Sequence, residues 1–83
     1  MFKVYLKKSA EKDLKKLTKK NQFFVIRALR DLELAPKLGR KLKNSKIGTY
    51  RYRIGDYRIV YDIEHKNKKI EVLRIRHRRE VYR

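Results

Sequence analysis

Apolar residues alternate with arginines in the run TYRYRIGDYRIVYDI, residues 49–63, on both sides of Gly55 and Asp56. Successive side chains of a β-strand point to opposite faces, and Gly-Asp is a typical two-residue turn of a β-hairpin. The hairpin therefore places Arg53 directly opposite Arg58. Like charges at facing positions destabilise a sheet by up to about 1 kcal/mol. A pattern that costs stability without local compensation indicates a functional site, and here the site would bind an anion.

A third strand, after a turn centred near Asn67, extends this alternation. A shift of one residue in its pairing would reverse every side chain. In the predicted register Arg74 faces Val60 and Arg76 faces Arg58. The arginines predicted to share one face are Arg51, Arg53, Arg58, Arg74, Arg76 and Arg78. The predicted apolar face consists of Tyr50, Tyr52, Ile54, Tyr57, Ile59, Tyr61, Ile63, Leu73 and Ile75.

The first half of the chain predicts one strand and two helices. Residues 1–7 alternate apolar and basic side chains, which is typical of an edge strand guarded by lysines. Ser9 is a typical N-cap for the first helix, and a second helix is predicted over about residues 19–34, ended by Pro36. Residues 37–46 are predicted to form a basic loop. The helix residues expected to face the core are Ala10, Leu14, Leu17, Val25, Ala28, Leu29 and Leu32.

Together these elements predict one domain over residues 1–83 with an α+β fold. The element order is β-α-α-β-β-β, with a small antiparallel sheet and two helices packed on one of its faces. The other face, which carries the arginines, is left open. A chain of 83 residues has room for one core layer.

The charge balance favours a polyanionic partner. Lys and Arg number 26 against 9 Asp and Glu, a formal net charge of +17, which favours nucleic acid through counterion release. Of the 11 arginines, 8 lie at or after Arg51, whereas 12 of the 15 lysines precede Tyr50. Arginine holds phosphate through a bidentate fork and lysine acts as a point charge. The second half is therefore predicted to hold the site.

Cysteine is absent from the chain, which makes a reducing compartment the default. No apolar stretch has the length of a signal sequence or a membrane span, so we expect a cytoplasmic protein that does not bind a membrane. The sequence contains no Gly-rich phosphate loop or cluster of carboxylates. We therefore expect no cofactor and no metal site, and any cleavage of RNA would use arginines to stabilise charge on the phosphate.

Tyr82 lies in a basic C-terminal tail beside Arg78, Arg79 and Arg83. Positive charge stabilises a phenolate, so Tyr82 could act as a base in phosphodiester chemistry. The alternative is a tail anchor that packs on the sheet. His77 could donate or accept a proton, although the alternation places it on the helix-packed face.

Four runs of this sequence together resemble the RelE/ParE superfamily of bacterial and archaeal toxins: VYLKKSAEKDLKKL, KLKNSKIGTYR, YRYRIGDYRIVYDI and RIRHRREVYR. The resemblance spans nearly the whole chain, and we expect the RelE-like branch. It implies a fold akin to microbial ribonucleases and a toxin of a type II toxin-antitoxin pair. RelE-like members enter the ribosomal A site and cut the translated mRNA, whereas ParE-like members poison DNA gyrase.

The resemblance also implies roles for individual residues. The basic pair that follows a tyrosine in RelE matches Arg51 and Arg53, and the arginine of the GYR motif matches Arg58. Arg76 and Arg78 compete for the arginine that precedes the terminal tyrosine. The residues expected to be catalytic are Arg58, Arg76, Arg78 and Tyr82. The residues expected to bind RNA are Arg51, Arg53, Arg74, Lys43 and Lys46.

The implied activity is that of a metal-independent, ribosome-dependent endoribonuclease that inhibits translation. Its implied partners are a cognate acidic antitoxin similar to RelB and the ribosome with its mRNA. Two alternatives remain: a ParE-like gyrase poison built on the same basic scaffold, and a relative that binds nucleic acid without cutting it.

Overall fold

Five strands form one sheet in this protein, and two helices pack on one face of it. The structure, a computed structural model, describes residues 1–42 and 49–77. The helices are α1, Lys8–Lys15, and α2, Lys19–Leu34, and a 3-10 turn, Pro36–Leu38, follows α2. The strands are β1, Lys3–Leu6; β2, Arg40–Lys41; β3, Thr49–Ile54; β4, Tyr57–Glu64; and β5, Lys69–His77. Their order across the sheet is β1-β5-β4-β3-β2, and the predicted α+β fold is confirmed.

Strands β3, β4 and β5 form the predicted antiparallel meander. Arg53 pairs with Arg58 across the hairpin, and Arg58 pairs with Arg76 on β5, as the alternation predicts. Two pairings lie outside the prediction. β1 runs parallel to β5, because α1 and α2 cross over the sheet before the chain returns, and β2 adds a short antiparallel edge to β3 within the segment predicted as a loop.

The structure corrects the predicted pairing in the first half of β5. A β-bulge shifts the register between Val60 and Tyr61, so that Tyr61 pairs with Val72 and Leu73 has no partner on β4. The alternation predicts Leu73 in the core, but Leu73 is only partly buried, whereas Ile70 and Val72 are fully buried. The apolar residues at positions 70, 72 and 75 do not follow one alternation. One extra residue in the strand brings all three to the same face.

The core lies between the sheet and the helices, and α2 contributes the stripe that its sequence predicts. This helix ends at Leu34, before Pro36, as expected. Among the described residues, no helix has the length and apolar character needed to cross a membrane. The buried apolar residues are Ala10, Val25, Ala28, Leu29, Leu32, Ile59, Tyr61, Ile70, Val72 and Ile75.

Helix α1 closes part of the sheet edge instead of starting with a serine cap. The helix begins at Lys8, and the Ser9 hydroxyl donates to the Leu73 carbonyl oxygen at 2.7 Å, so Ser9 is not its N-cap. The carboxylate of Asp13 accepts a hydrogen bond from the Ile75 N–H at 2.9 Å. Because β1 ends opposite Val72, these side chains occupy the edge of β5 beyond β1.

The outer edge of β1 also has a side-chain partner. The Val4 N–H donates to a carboxylate oxygen of Glu33 on α2 at 3.0 Å. Unpaired groups on an edge strand can pair with another chain. The side of the sheet formed by β1 and β5 is therefore partly closed by the two helices.

Candidate nucleic-acid interface

The open face of the sheet carries two rows of arginines that run across the strands. The first row has one residue from each of β2 to β5 and consists of Arg40, Arg51, Val60 and Arg74. The second row, from β3 to β5, consists of Arg53, Arg58 and Arg76. Neighbouring strands lie about 4.8 Å apart, so these arginine rows bring several guanidinium groups within reach of one extended anion.

The arginine rows combine one enclosed guanidinium group with several accessible ones. Arg58 is 6% exposed, whereas Arg53 and Arg40 are exposed. Within the described residues, Arg40, Arg51 and Arg53 form no ion pair. A guanidinium group keeps its charge at any physiological pH, so these groups repel one another until an anion binds between them. The arrangement can hold phosphate and stabilise charge that builds on it.

A pocket of about 350 Å³ opens where β2 ends beside β3. Its charged wall combines residues of both arginine rows, and its apolar surface comes from Leu38 in the 3-10 turn. The lining residues are Leu38, Arg40, Arg51, Tyr52, Arg53 and Arg58. The pocket therefore offers both anion-binding groups and apolar surface to one ligand.

The acidic residues of this sheet face lie at the end opposite the arginine rows. Asp62 and Glu71 face one another in the pairing of β4 and β5. The Thr49 hydroxyl donates to Asp62 at 2.8 Å, and Lys7 and Lys69 lie 3.4 and 3.7 Å from Glu71. The open face is thus divided into an arginine end and an end with paired carboxylates.

Asp13 contacts the arginine rows from α1, a contact that the sequence analysis did not predict. Its carboxylate accepts from the Nε of Arg74 at 2.9 Å and from an Nη of Arg74 at 3.1 Å. The same carboxylate accepts from the Ile75 N–H. Asp13 therefore fixes both the backbone and one guanidinium group of β5 next to Arg76.

A buried tyrosine holds β2 against the sheet. The Tyr61 hydroxyl donates to the Pro36 carbonyl oxygen at 2.7 Å and accepts from the Gly39 N–H at 3.0 Å. A Cβ on Gly39 would lie 2.5 Å from the Tyr61 oxygen and 2.9 Å from the Arg51 carbonyl oxygen, so only glycine fits. Burial raises the pKa of Tyr61 above its ordinary value, and the Gly39 N–H opposes that rise.

Arg40 is the residue of this face that sequence reasoning missed. It lies in the segment predicted as a basic loop, and the only signal was its charge directly after Gly39. The contacts of Tyr61 with Pro36 and Gly39 bring the chain to β3, and Arg40 then pairs with Arg51. A strand of two residues carries no alternation that could have identified it.

The tyrosines of the meander lie on the helix-packed face, as predicted. Tyr50 and Tyr61 stack with ring centroids 5.6 Å apart, and the Tyr57 ring meets the His77 ring edge-on at 5.1 Å. His77 thus lies on the face that its position in the alternation predicts. These rings pack beside the core, on the face opposite the arginine rows.

Several predicted site residues cannot be placed on this face. Lys43, Lys46, Arg78 and Tyr82 lie outside the described residues. In residues 1–42 and 49–77, no three His, Asp or Glu side chains come together in a way that could hold a metal ion.

The five-stranded sheet with two helices on one face matches the fold of solved RelE toxin structures. The sequence profile of the family described as "ParE toxin of type II toxin-antitoxin system, parDE" matches residues 4–82. The chain therefore belongs to this family, within the RelE/ParE superfamily of toxins.

Individual relatives agree with this assignment. The chain is 34% identical over 77 residues to Toxin RelG of Mycobacterium tuberculosis, covering 90% of this chain and 88% of that protein. The structure superposes on a chain of the toxin-antitoxin complex RelBE2 from M. tuberculosis with a TM-score of 0.86 and 30% identity, covering 93% of this chain and 98% of that one. The archaeal RelE-RelB complex from Pyrococcus horikoshii gives a TM-score of 0.78 and 29% identity, covering 93% and 94%.

Proposed function

We propose that this toxin is a ribosome-dependent endoribonuclease that cuts mRNA in the ribosomal A site. The observation that carries the proposal is the convergence of the arginine rows on one open sheet face. Arg51, Arg53 and Arg74, with Lys43 and Lys46, hold the RNA backbone. The residues proposed to act on the scissile phosphate are Arg58, Arg76, Arg78 and Tyr82.

The proposed reaction is an attack of the ribose 2′-oxygen on the neighbouring phosphorus. Tyr82 takes the proton of the 2′-hydroxyl, the bond from phosphorus to the 5′-oxygen breaks, and that oxygen takes a proton from solvent. The products are a 2′,3′-cyclic phosphate and a 5′-hydroxyl. Arg58 stabilises the charge that builds on the phosphate, because its enclosure strengthens electrostatic interactions. Arginine is a poor proton donor, because its pKa exceeds about 12.

The Arg58→Ala variant is expected to cut mRNA about 10²- to 10³-fold more slowly than the wild type, since a single donor to a developing oxyanion has that effect. Mapping of cut ends by primer extension in a translating extract measures it. Arg53→Ala, which removes an exposed side chain, tests the same face without disturbing a buried residue. Arg30→Ala removes an exposed charge from α2 and is the matched control.

Cutting at the wild-type rate by both Arg58→Ala and Arg53→Ala would contradict the proposed site. Unchanged cutting by both Arg78→Ala and Tyr82→Phe would remove the tail from the mechanism. Thermal unfolding of each variant separates loss of the fold from loss of activity.

A gyrase poison is the second candidate function, because the matching family profile is described as a ParE toxin. The same charged face would then contact gyrase or its DNA. Intact mRNA in the extract, together with accumulation of gyrase-DNA cleavage complexes, would favour this candidate over the endoribonuclease.

An acidic antitoxin is the proposed protein partner. The relatives from M. tuberculosis and P. horikoshii were solved as complexes with antitoxins, and the net charge of +17 favours an acidic chain. Titration with the product of an adjacent small acidic gene tests this proposal. A product that neither binds the chain nor relieves its toxicity would contradict it.

A further inference from the structure

The pocket beside β2 differs from the rest of the arginine rows because it has an apolar wall. Arg40 and Arg51 face one another in the β2–β3 pairing, and side chains at such positions lie about 5 Å apart at Cβ. On the other side lies Leu38, whose side chain is 49% exposed. The pocket volume of about 350 Å³ lies at the small end of the range for ligand pockets, about 300 to 1,000 Å³.

The position of Arg40 is fixed by the structure beneath it. Tyr61 binds both Pro36 and Gly39 on the segment that leads into β2. Leu42 continues the pairing through a hydrogen bond from its N–H to the Thr49 carbonyl oxygen at 2.8 Å. The backbone of Arg40 is therefore held on the sheet from both sides, which reduces the chain entropy lost when a ligand binds there.

We propose that this pocket is a subsite for one nucleotide of the RNA strand, next to the scissile phosphate. Arg40 and Arg51 hold the phosphate of that nucleotide, and its base lies against the exposed side chain of Leu38. The inference rests on the proposed endoribonuclease function and adds Arg40 to the residues that bind RNA.

Two features favour a nucleotide over an acidic peptide. The pocket shares Arg51, Arg53 and Arg58 with the proposed RNA site. An RNA chain that extends along the arginine rows toward β2 therefore contacts Arg40 after Arg51. A nucleotide also joins a doubly accepting phosphate to a base whose flat face packs on apolar surface, which matches a guanidinium pair beside an exposed leucine.

The test measures binding of a short single-stranded RNA whose 2′-hydroxyls are methylated, so that it cannot be cut. Fluorescence anisotropy over a range of salt concentrations gives the affinity and its salt dependence. Arg40→Ala is expected to lower the affinity about ten- to hundredfold, because it removes a charged hydrogen bond. It is also expected to reduce the slope of log affinity against log salt by about 0.7.

Lys41→Ala is the matched control, because Lys41 is exposed on the same strand and alternation directs it to the other face. It removes the same charge and is expected to change the affinity less than twofold. Leu38→Ser tests the apolar wall. It is expected to weaken binding without changing the salt slope, since an apolar contact releases no counterions.

Equal losses for Arg40→Ala and Lys41→Ala would overturn the subsite. So would an Arg40→Ala variant that loses as much affinity for an oligoglutamate peptide as for the RNA, because Arg40 would then recognise charge alone. A wild-type chain that leaves mRNA intact in the translating extract overturns the proposed function instead. The two failures are therefore read from different measurements.

Discussion

Tyr61 shows how one buried hydroxyl can position a distant charged residue. Its side chain is fully buried, and its oxygen exchanges hydrogen bonds with backbone groups on both sides of Leu38. Removing the hydroxyl leaves the Gly39 N–H and the Pro36 carbonyl oxygen without this partner. Such a loss costs about 1 to 2 kcal/mol. The contact is made on the helix-packed face, yet it determines where Arg40 lies on the open face.

The stability advantage of the wild type over Tyr61→Phe is expected to fall at alkaline pH. Burial raises the pKa of Tyr61 in the folded chain above the ordinary value near 10. Below pH 10 the phenol is protonated in both states and its contribution is complete. As the pH rises past 10, the unfolded chain ionises first, and the contribution is lost until the folded pKa is passed.

Urea unfolding of the wild type and Tyr61→Phe between pH 7 and pH 11 measures this difference. Deprotonation of lysines affects both proteins alike and cancels in the comparison. The difference in unfolding free energy is expected to stay constant up to about pH 9 and then fall by at most about 1.4 kcal/mol per pH unit. A constant difference up to pH 11 would contradict the assigned role of burial.

At the scale of elements, the β4–β5 hairpin depends on its turn as much as on its alternation. The turn after β4 contains Lys68, which has a φ of 50°. Among the described non-glycine residues, it is the one with a positive φ. The bulge at Leu73 then shifts the pairing by one residue, so that Arg74 pairs with Val60 and Arg76 pairs with Arg58. The left-handed conformation costs a side-chain-bearing residue about 1 kcal/mol.

Lys68→Gly is therefore expected to raise the free energy of unfolding by about 0.5 to 1 kcal/mol, since glycine adopts a positive φ without a steric penalty. Thermal or urea unfolding measures the change. Lys66→Gly is the matched control in the same turn, outside the left-handed region. It removes the same charge and is expected to lower the stability by up to about 1 kcal/mol. Equal effects of the two substitutions on the free energy of unfolding would contradict the assignment of the gain to the positive φ of Lys68.

Alternation predicted the β3–β4 hairpin residue by residue, because a two-residue turn leaves one register. The stripe on α2 was predicted for a similar reason, since it follows one helical period. The bulge was missed because the buried positions 70, 72 and 75 change phase within one strand. Their spacing was visible in the sequence and could have indicated it.

The remaining features of the site depend on tertiary contacts that local patterns do not contain. Asp13 and Arg74 are 61 positions apart along the chain, and β2 exists through the contacts of Tyr61 with the segment before Arg40. The sequence contained every residue of these contacts. It did not indicate which of its many charged residues would meet.

At the scale of the whole molecule, the net charge of +17 is distributed unevenly over the surface. The open face carries the arginine rows at one end and paired carboxylates at the other. The helix layer exposes Phe23 at 78% and Phe24 at 54%, beside Lys19, Lys20 and Arg27. Basic surface with exposed apolar residues is complementary to an amphipathic acidic chain.

The affinity for the proposed acidic antitoxin is accordingly expected to fall as the salt concentration rises. The Debye length falls from about 10 Å at 0.1 M to about 3 Å at 1 M, so salt weakens the attraction between exposed charges. Calorimetric titration between 0.1 and 1 M NaCl measures it. Apolar contacts persist at high salt, so binding should weaken without disappearing. An affinity that does not change over this range would contradict an electrostatic origin of the complex.

The side chains that cap β1 and β5 also limit how copies of this toxin can associate. Ser9, Asp13 and Glu33 already satisfy backbone groups that a foreign strand would need on that flank. Among the described residues, the opposite flank presents basic side chains at Arg40, Lys41 and Arg53, where a second identical chain would meet its own charge. Edge-to-edge pairing of the sheets of two copies is thus disfavoured on both flanks. We expect this strongly cationic protein to resist fibril formation even in concentrated solution.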